Sequence, residues 1–191
     1  FGHLGDTPSH PELLDYLATE FVARGWSLRA LIREMVLSRT FRLAPDTTAA
    51  AHASDPDNRL WSHALVRRLE AELIRDAILQ ASGRLDRKPF GIGVPVSAST
   101  SHDYMIAPGP LDGAGRRSLY LEVRRNFPAT FLTIFDWPRP LATTGRRNVT
   151  NVPAQGLALL NDPFVVQQAE LFARRALAGQ PTAAERVAHM Y

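Results

Sequence analysis

The stretch from Arg116 to Phe164 gathers the residue types best suited to chemistry. The doublets Arg116-Arg117, Arg124-Arg125 and Arg146-Arg147 share it with Asp136 and Asn148. Arginine presents a planar fork that grips carboxylates, phosphates and sulfates bidentately. Arg146, Arg147 and Asn148 stand just before an expected helix start, where free N–H groups and the helix dipole favour anions. Arg124 and Arg125 end an expected strand, and Asp136 ends an expected short helix. The candidate ligand-binding set is therefore Arg124, Arg125, Asp136, Arg146, Arg147 and Asn148, chemically suited to a sulfated or carboxylated sugar. The same residues would also serve as a buried structural network, with Asp136 pairing Arg146 or Arg125 and Asn148 satisfying loop backbone.

Other chemistries find less support. Asp136 is the one candidate catalytic acid or base, and glycoside hydrolysis usually needs a second carboxylate. No second acid is obviously placed with it, and Glu122, on the outer face of the expected strand, is one possible partner. His3, His10, His52, His63, His102 and His189 are scattered without a helical metal-binding pair, so no metal site is expected. Ser101-His102-Asp103 names the types of a catalytic triad, but adjacent residues do not place their side chains as one. Asp55-Pro56-Asp57-Asn58 starts like a calcium loop, yet Leu60 and Val66 occupy the positions that need Gly and Glu. Gly91-Ile92-Gly93 is too short for a dinucleotide fingerprint. Trp137, beside Asp136 and Pro138, is the tryptophan best placed to stack on a sugar, whereas Trp61 lies on an expected core row.

The composition sets the frame for these residues. With 191 residues, 45% hydrophobic and 21% charged, the chain belongs to the folded globular class. The absence of cysteine excludes disulfides, thiolate metal sites and covalent c-type haem attachment within it. Net charge is +3, and Lys88 is the only lysine, so the basic charge is almost all arginine. A GC-rich genome is the leading explanation of that bias, ahead of a functional preference for guanidinium forks. Acidic residues are interspersed throughout, which argues against a nucleic-acid partner. No apolar run approaches the roughly 18 residues that cross a bilayer. The Phe1 start and the end within a helical ERVAHMY lead us to expect a piece of a longer protein, so a missing leader carries no weight.

Local signals then place the elements. Ser9 and Glu12 match a capping box before Leu13, Leu14, Leu17 and Phe21, with Gly25 as the stop. Ser27 caps a second helix striped by Leu28, Leu31, Ile32, Met35 and Val36, which predicts an αα-hairpin. Residues 43–54 read as a surface loop. Asp55-Pro56-Asp57 opens a long central helix to about Ser82, with Gly83 as its stop. In it Trp61, Leu65, Leu69, Leu73 and Ala77 form a core row, Ile74 and Ile78 a second, and Arg68, Glu72 and Asp76 a salt-laced outer stripe. Residues 84–115 are Pro- and Gly-rich and irregular. Ser118–Arg124 alternates as a half-buried strand, for which the Ile92–Val96 region is the expected partner. Phe131, Ile134 and Phe135 fit a short helix ending at Asp136. Asn151 or Thr150 caps the next, Asp162-Pro163 the one after, and Thr182 with Glu185 a last. The expected fold is mainly α, a helical bundle with a long irregular loop and at most a small two-stranded β element. It is read as a single domain over 1–191: hairpin and central helix in 1–83, loop in 84–115, then strand, Arg/Asn-rich segment and C-terminal helices in 116–191.

The motif series PSHPELLDYLATEF, GWSLRALIREMVLSRTFR, RRLEAELIRDAILQASGRLD, RRSLYLEVRR, FLTIFDWP and RRNVTNVPAQGLALLNDPFV resembles a domain of unknown function from planctomycete and verrucomicrobial bacteria. That domain is the C-terminal part of large exported proteins, following another uncharacterised domain and often an N-terminal cytochrome-c-like domain. The resemblance implies an exported protein, periplasmic or at the cell surface, with haem c in a separate domain and no cofactor in this chain. It implies no established reaction. The functional expectation is a non-catalytic binding or interdomain-interaction module, whose partner is the upstream domain of the same chain or an anionic polysaccharide. The alternative is a share in an active site, for glycan-related hydrolysis or redox chemistry, completed by that upstream domain.

Overall fold

The computed structural model describes residues 5, 7–96, 109–125, 128–140, 143–178 and 182–190. The protein is mainly helical, with α1 at Pro11–Ala23, α2 at Leu28–Leu37, α3 at Ala49–Ser54 and α4 at Ala71–Ser82. After a long irregular stretch come α5 at Thr130–Ile134, α6 at Pro153–Asn161, α7 at Pro163–Leu177 and α8 at Ala183–Met190. The chain divides into two compact units, Phe1–Arg67 and Arg68–Tyr191.

In the first unit α1 and α2 form the expected hairpin. Ser27 Oγ accepts the N–H of Ala30, and Gly25 takes a left-handed φ of 67° that lets the chain turn at the end of α1. Ser9 does not cap α1. Its hydroxyl meets His10 Nδ1 instead, and His10 holds the cap position without a side-chain bond. The expected loop at 43–54 contains α3, capped by Thr48.

The long central helix from Asp55 is the main correction, because only Ala71–Ser82 of it is helical. Two buried side chains hold residues 55–63 in turns. Asp55 accepts the N–H groups of Arg59 and Leu60 at 2.8 and 2.7 Å. Asn58 accepts the Ser62 N–H at 2.8 Å and donates to the His63 carbonyl at 2.8 Å. Asn58 and Trp61 both sit at positive φ, 50° and 54°. Asp and Asn that bond nearby backbone offer it an alternative to the helical ladder, and here the alternative wins.

The second unit carries the core. Its buried apolar side chains are Leu79, Leu121, Phe131, Leu132, Phe135 and Phe164, with alanines between them. Phe131 packs tilted on Phe135 and edge-on to Phe164, with ring centroids 5.1 and 5.4 Å apart. α4 presents Ala71, Arg75, Leu79 and Ser82 to this core, not the expected row of Leu69, Leu73 and Ala77. Leu69 and Leu73 are about half exposed, while Ile74 and Ile78 pack against the core as expected. α7 lies along α4. Gln168, fully buried, accepts the Ser82 hydroxyl at 2.7 Å, and Arg175 donates to the last carbonyls of α4 at Gln80 and Ala81. Gly83, Asp162-Pro163 and the Thr182–Glu185 box all act as the sequence suggests. Neither Thr150 nor Asn151 caps α6, whose cap position falls to Val152.

The expected strand at Ser118–Arg124 is reduced to a single isolated bridge among the described residues. Ser118–Tyr120 winds into a 3-10 turn, since Asp76 draws in the Ser118 N–H. Leu121 is buried and bridges Val94, inside the expected partner region, but Leu119 and Val123 face outward. Ser101-His102-Asp103 lies outside the described residues, as does the rest of 97–108.

Candidate functional site

The polar stripe expected on the outside of α4 turns out to be the organiser of the second unit. Arg68, which falls just before α4, and Glu72 and Asp76 within it make no ion pairs with one another among the described residues, and each instead grips a different distant segment.

Arg68 Nη2 meets Asp136 Oδ2 at 2.6 Å. Asp136 also accepts the Thr150 N–H at 2.7 Å and the Thr150 hydroxyl at 2.9 Å. Gln155, buried in α6, donates to the Thr150 hydroxyl oxygen and to the Ile134 carbonyl, both at 3.1 Å. Asp136 itself has a left-handed φ of 63°, just past the end of α5. Burial raises the Asp136 pKa, the Thr150 hydrogen bonds and the Arg68 charge outweigh it, and the net shift is downward. The remaining nitrogens of Arg68, Nε and Nη1, are buried without a hydrogen-bond partner while the guanidinium lies 5.6 Å from the Phe135 ring centre.

Glu72 takes Arg147 in a bidentate fork at 2.7 and 2.9 Å, and Glu70 touches the same guanidinium at 3.2 Å. Burial lifts the Glu72 carboxyl, but the Arg147 fork outweighs it and holds the carboxyl below its usual value. Asp76 accepts the Ser118 N–H and hydroxyl, both at 2.7 Å, and lies 3.4 Å from Arg117 Nε.

Arg75 shares the buried face. Its guanidinium donates to the carbonyls of Arg116 and Asp112 at 2.9 and 2.7 Å and to the Ser118 hydroxyl at 3.2 Å. It rests 5.5 Å from the centre of the Phe164 ring. Burial pushes its pKa down to about 10, against the pull of Asp76 and Asp112. The Asp112–Arg116 turn fits around it because Gly113 and Gly115 sit at φ 55° and 73°. A Cβ on Gly115 would stand 2.2 Å from the Arg84 carbonyl oxygen. Arg116 in turn donates to the carbonyls of Lys88 and Phe90 and stacks 4.3 Å over Tyr120.

Of the sequence-derived set, Asp136 is thus tied to Arg68 and Thr150, Arg147 to Glu72 and Glu70, and Arg124 to its neighbour Glu122 at 3.0 Å. Arg125, Arg146 and Asn148 are exposed and make no side-chain bond among the described residues. The six are not drawn into one anion pocket. The residues missed are Arg68, Arg75, Asp76, Asp112 and Ser118. The one available signal was that Arg75 stands between Ala71 and Leu79 at four-residue spacing.

These anchors frame an open groove of about 370 Å³ between α4, residues 117–124 and the start of α5. Leu73, Leu119, Val123, Leu132 and Trp137 are among its apolar lining, and Glu70, Glu72, Asp76, Glu122, Arg117 and Arg124 supply its charged groups. No group of three or more potential metal-ligating side chains occurs among the described residues. No helix of the described chain is long and apolar enough to cross a membrane.

A family model described as "PSD1: Protein of unknown function (DUF1553)" matches residues 1–191. No curated protein and no solved structure matches the chain.

Proposed function

The chain belongs to this family of unknown function, and from that premise we propose that it is a non-catalytic interaction module that receives an apolar protein segment in the α4 groove. One observation carries the reading: the groove is lined by exposed aliphatic side chains, while the charges at its rim are already paired. Leu73, Leu119 and Val123 are 48%, 73% and 54% exposed. Contiguous exposed apolar surface of this kind marks interaction sites. Arg147, Arg124 and Arg117 each have a carboxylate partner. An anionic glycan would have to displace those carboxylates. A sugar ring would want an open aromatic face, and Trp137 is half-buried. An aliphatic protein segment needs neither. Asp136 is a poor acid or base, because its oxygens serve Arg68 and Thr150 and its depressed pKa keeps it ionised.

The segment comes from the neighbouring upstream domain of the parent protein. Export and a cytochrome-like haem domain in that parent belong to the same proposal and rest on the sequence resemblance. The test is binding between this chain and the upstream domain, produced separately. Leu119→Asp should abolish binding and leave the melting temperature unchanged, because Leu119 is mostly exposed. Undiminished binding would remove the groove reading. Salt-sensitive retention on a sulfated glycan, lost in the Arg146→Ala/Arg147→Ala variant, would restore the anion reading.

A further inference from the structure

The carboxylates of the α4 groove say more about its occupant than the aliphatic lining does. Glu70, Glu72, Asp76 and Glu122 all line it. Three of these are occupied by the chain itself. Glu72 holds the Arg147 fork with both oxygens, at 2.7 and 2.9 Å. Glu122 holds Arg124 with both oxygens, at 3.0 and 3.2 Å. Asp76 accepts the Ser118 N–H and hydroxyl, both at 2.7 Å.

Glu70 is different. It stands at the N-cap position of α4, yet its side chain caps nothing. Its carboxylate accepts no hydrogen bond among the described residues. Its ion contact, at 3.2 Å, is with the Arg147 guanidinium that Glu72 already holds. The Glu70 side chain is 58% exposed, against 24% for Glu72 and 14% for Asp76. Solvent therefore satisfies most of this carboxylate.

An occupant of the groove takes part of that solvent away. Covering an ionised carboxylate with apolar groups is costly unless a cation or donor replaces the lost water. The nearby guanidiniums are committed elsewhere, Arg117 to Asp76, Arg124 to Glu122 and Arg147 to Glu72. The replacement has to arrive with the occupant. On the strength of the groove reading above, on which this rests, we propose that the bound segment carries a lysine or arginine beside its apolar residues and that Glu70 selects for it. Aliphatic side chains of the upstream-domain segment then lie against Leu73, Leu119 and Val123, and its cation meets Glu70. A segment that lacks the base, or has an acid in its place, is penalised at the same position.

The test is the affinity of the 191-residue chain for the separately produced upstream domain, measured by titration calorimetry at several salt concentrations. Glu70→Gln keeps the shape of the side chain and removes its charge. It should weaken binding about fivefold at low salt, the worth of a partly exposed ion pair. Its affinity should also depend less on salt than the parent's. Glu170→Gln, on α7 and outside the groove, should change neither. Because Glu70 caps nothing, the melting temperature of Glu70→Gln should equal the parent's. A melting temperature that falls with the affinity would make Glu70 a structural residue and overturn the proposal. Glu70→Lys should bind more weakly still, and one Lys→Glu or Arg→Glu change in the upstream domain should restore it. Failure of every such change overturns the proposal. So does an affinity unchanged or raised in Glu70→Gln, since the bound segment then leaves the carboxylate unpaired. The groove reading survives those results if Leu119→Asp still abolishes binding. If Leu119→Asp binds normally, or the parent chain does not bind, both fall together.

Discussion

At the scale of single residues, the decisive side chain is one that sequence reasoning would place outside. Arg75 satisfies two loop carbonyls and a hydroxyl from within the core. Arg75→Met would keep the bulk and leave those acceptors buried and unpaired, beside an Asp76 that has lost a nearby cation. The expected loss is about 3 kcal/mol or more, read as a lower denaturant midpoint. Arg147→Ala should cost no more than about 1 kcal/mol in the same assay, because its pair with Glu72 is partly exposed. Asp136 supplies the pH dependence. Its folded pKa is depressed, so its contribution is present above the unfolded value of about 4 and is lost as pH falls through the folded one. Asp136→Asn should therefore be less stable than the parent at neutral pH, and the gap should close in acid. Parallel melts from neutral pH into acid check this, and a gap constant across that range would mean the carboxylate is not the stabilising species.

At the scale of elements, short polar side chains decide where helices stop. Asn58→Ala removes the acceptor of the Ser62 N–H and the donor to the His63 carbonyl. It also places a less tolerant residue at φ 50°. The expected cost is about 2 kcal/mol, with faster hydrogen exchange at the Ser62 amide as the local readout. The caps at Ser27, Gly83, Asp162 and Thr182 were legible because each is a local chemical event within four residues. The break at 55–70 was not, because Asp55 and Asn58 read equally well as a helix start until their bonds to residues 59–63 are known. The phase of α4 was missed for a related reason. Its buried row includes Arg75, and a periodicity argument counts apolar residues only. Arg68, Glu72 and Asp76 have the spacing of a solvated stripe, and nothing local reveals partners at 136, 147 and 118. Among the candidate site residues, the sequence located the Arg-rich segment but could not foresee that α4 carboxylates would neutralise Arg147 and Arg117.

At the scale of the whole molecule, burial is unevenly shared. Among the described residues the buried apolar ones all lie in Arg68–Tyr191, whereas those buried in Phe1–Arg67 are the polar Asp55 and Asn58. A unit with α4, α5, α6 and α7 around one aromatic cluster has what a small domain needs to fold alone. Residues 68–191 produced separately should thus melt cooperatively. Leu79→Ala in that piece should cost about 3 kcal/mol, since Leu79 is wholly buried at the centre of α4 and its removal leaves a cavity. Among the described residues Phe1–Arg67 has no comparable interior, and its helices gain stability when their apolar faces are covered. Calorimetry of the 68–191 piece separates the cases. A sharp transition lowered by Leu79→Ala places the stabilising core within it. A broad transition insensitive to that change would mean that residues 1–67 are required to close the core.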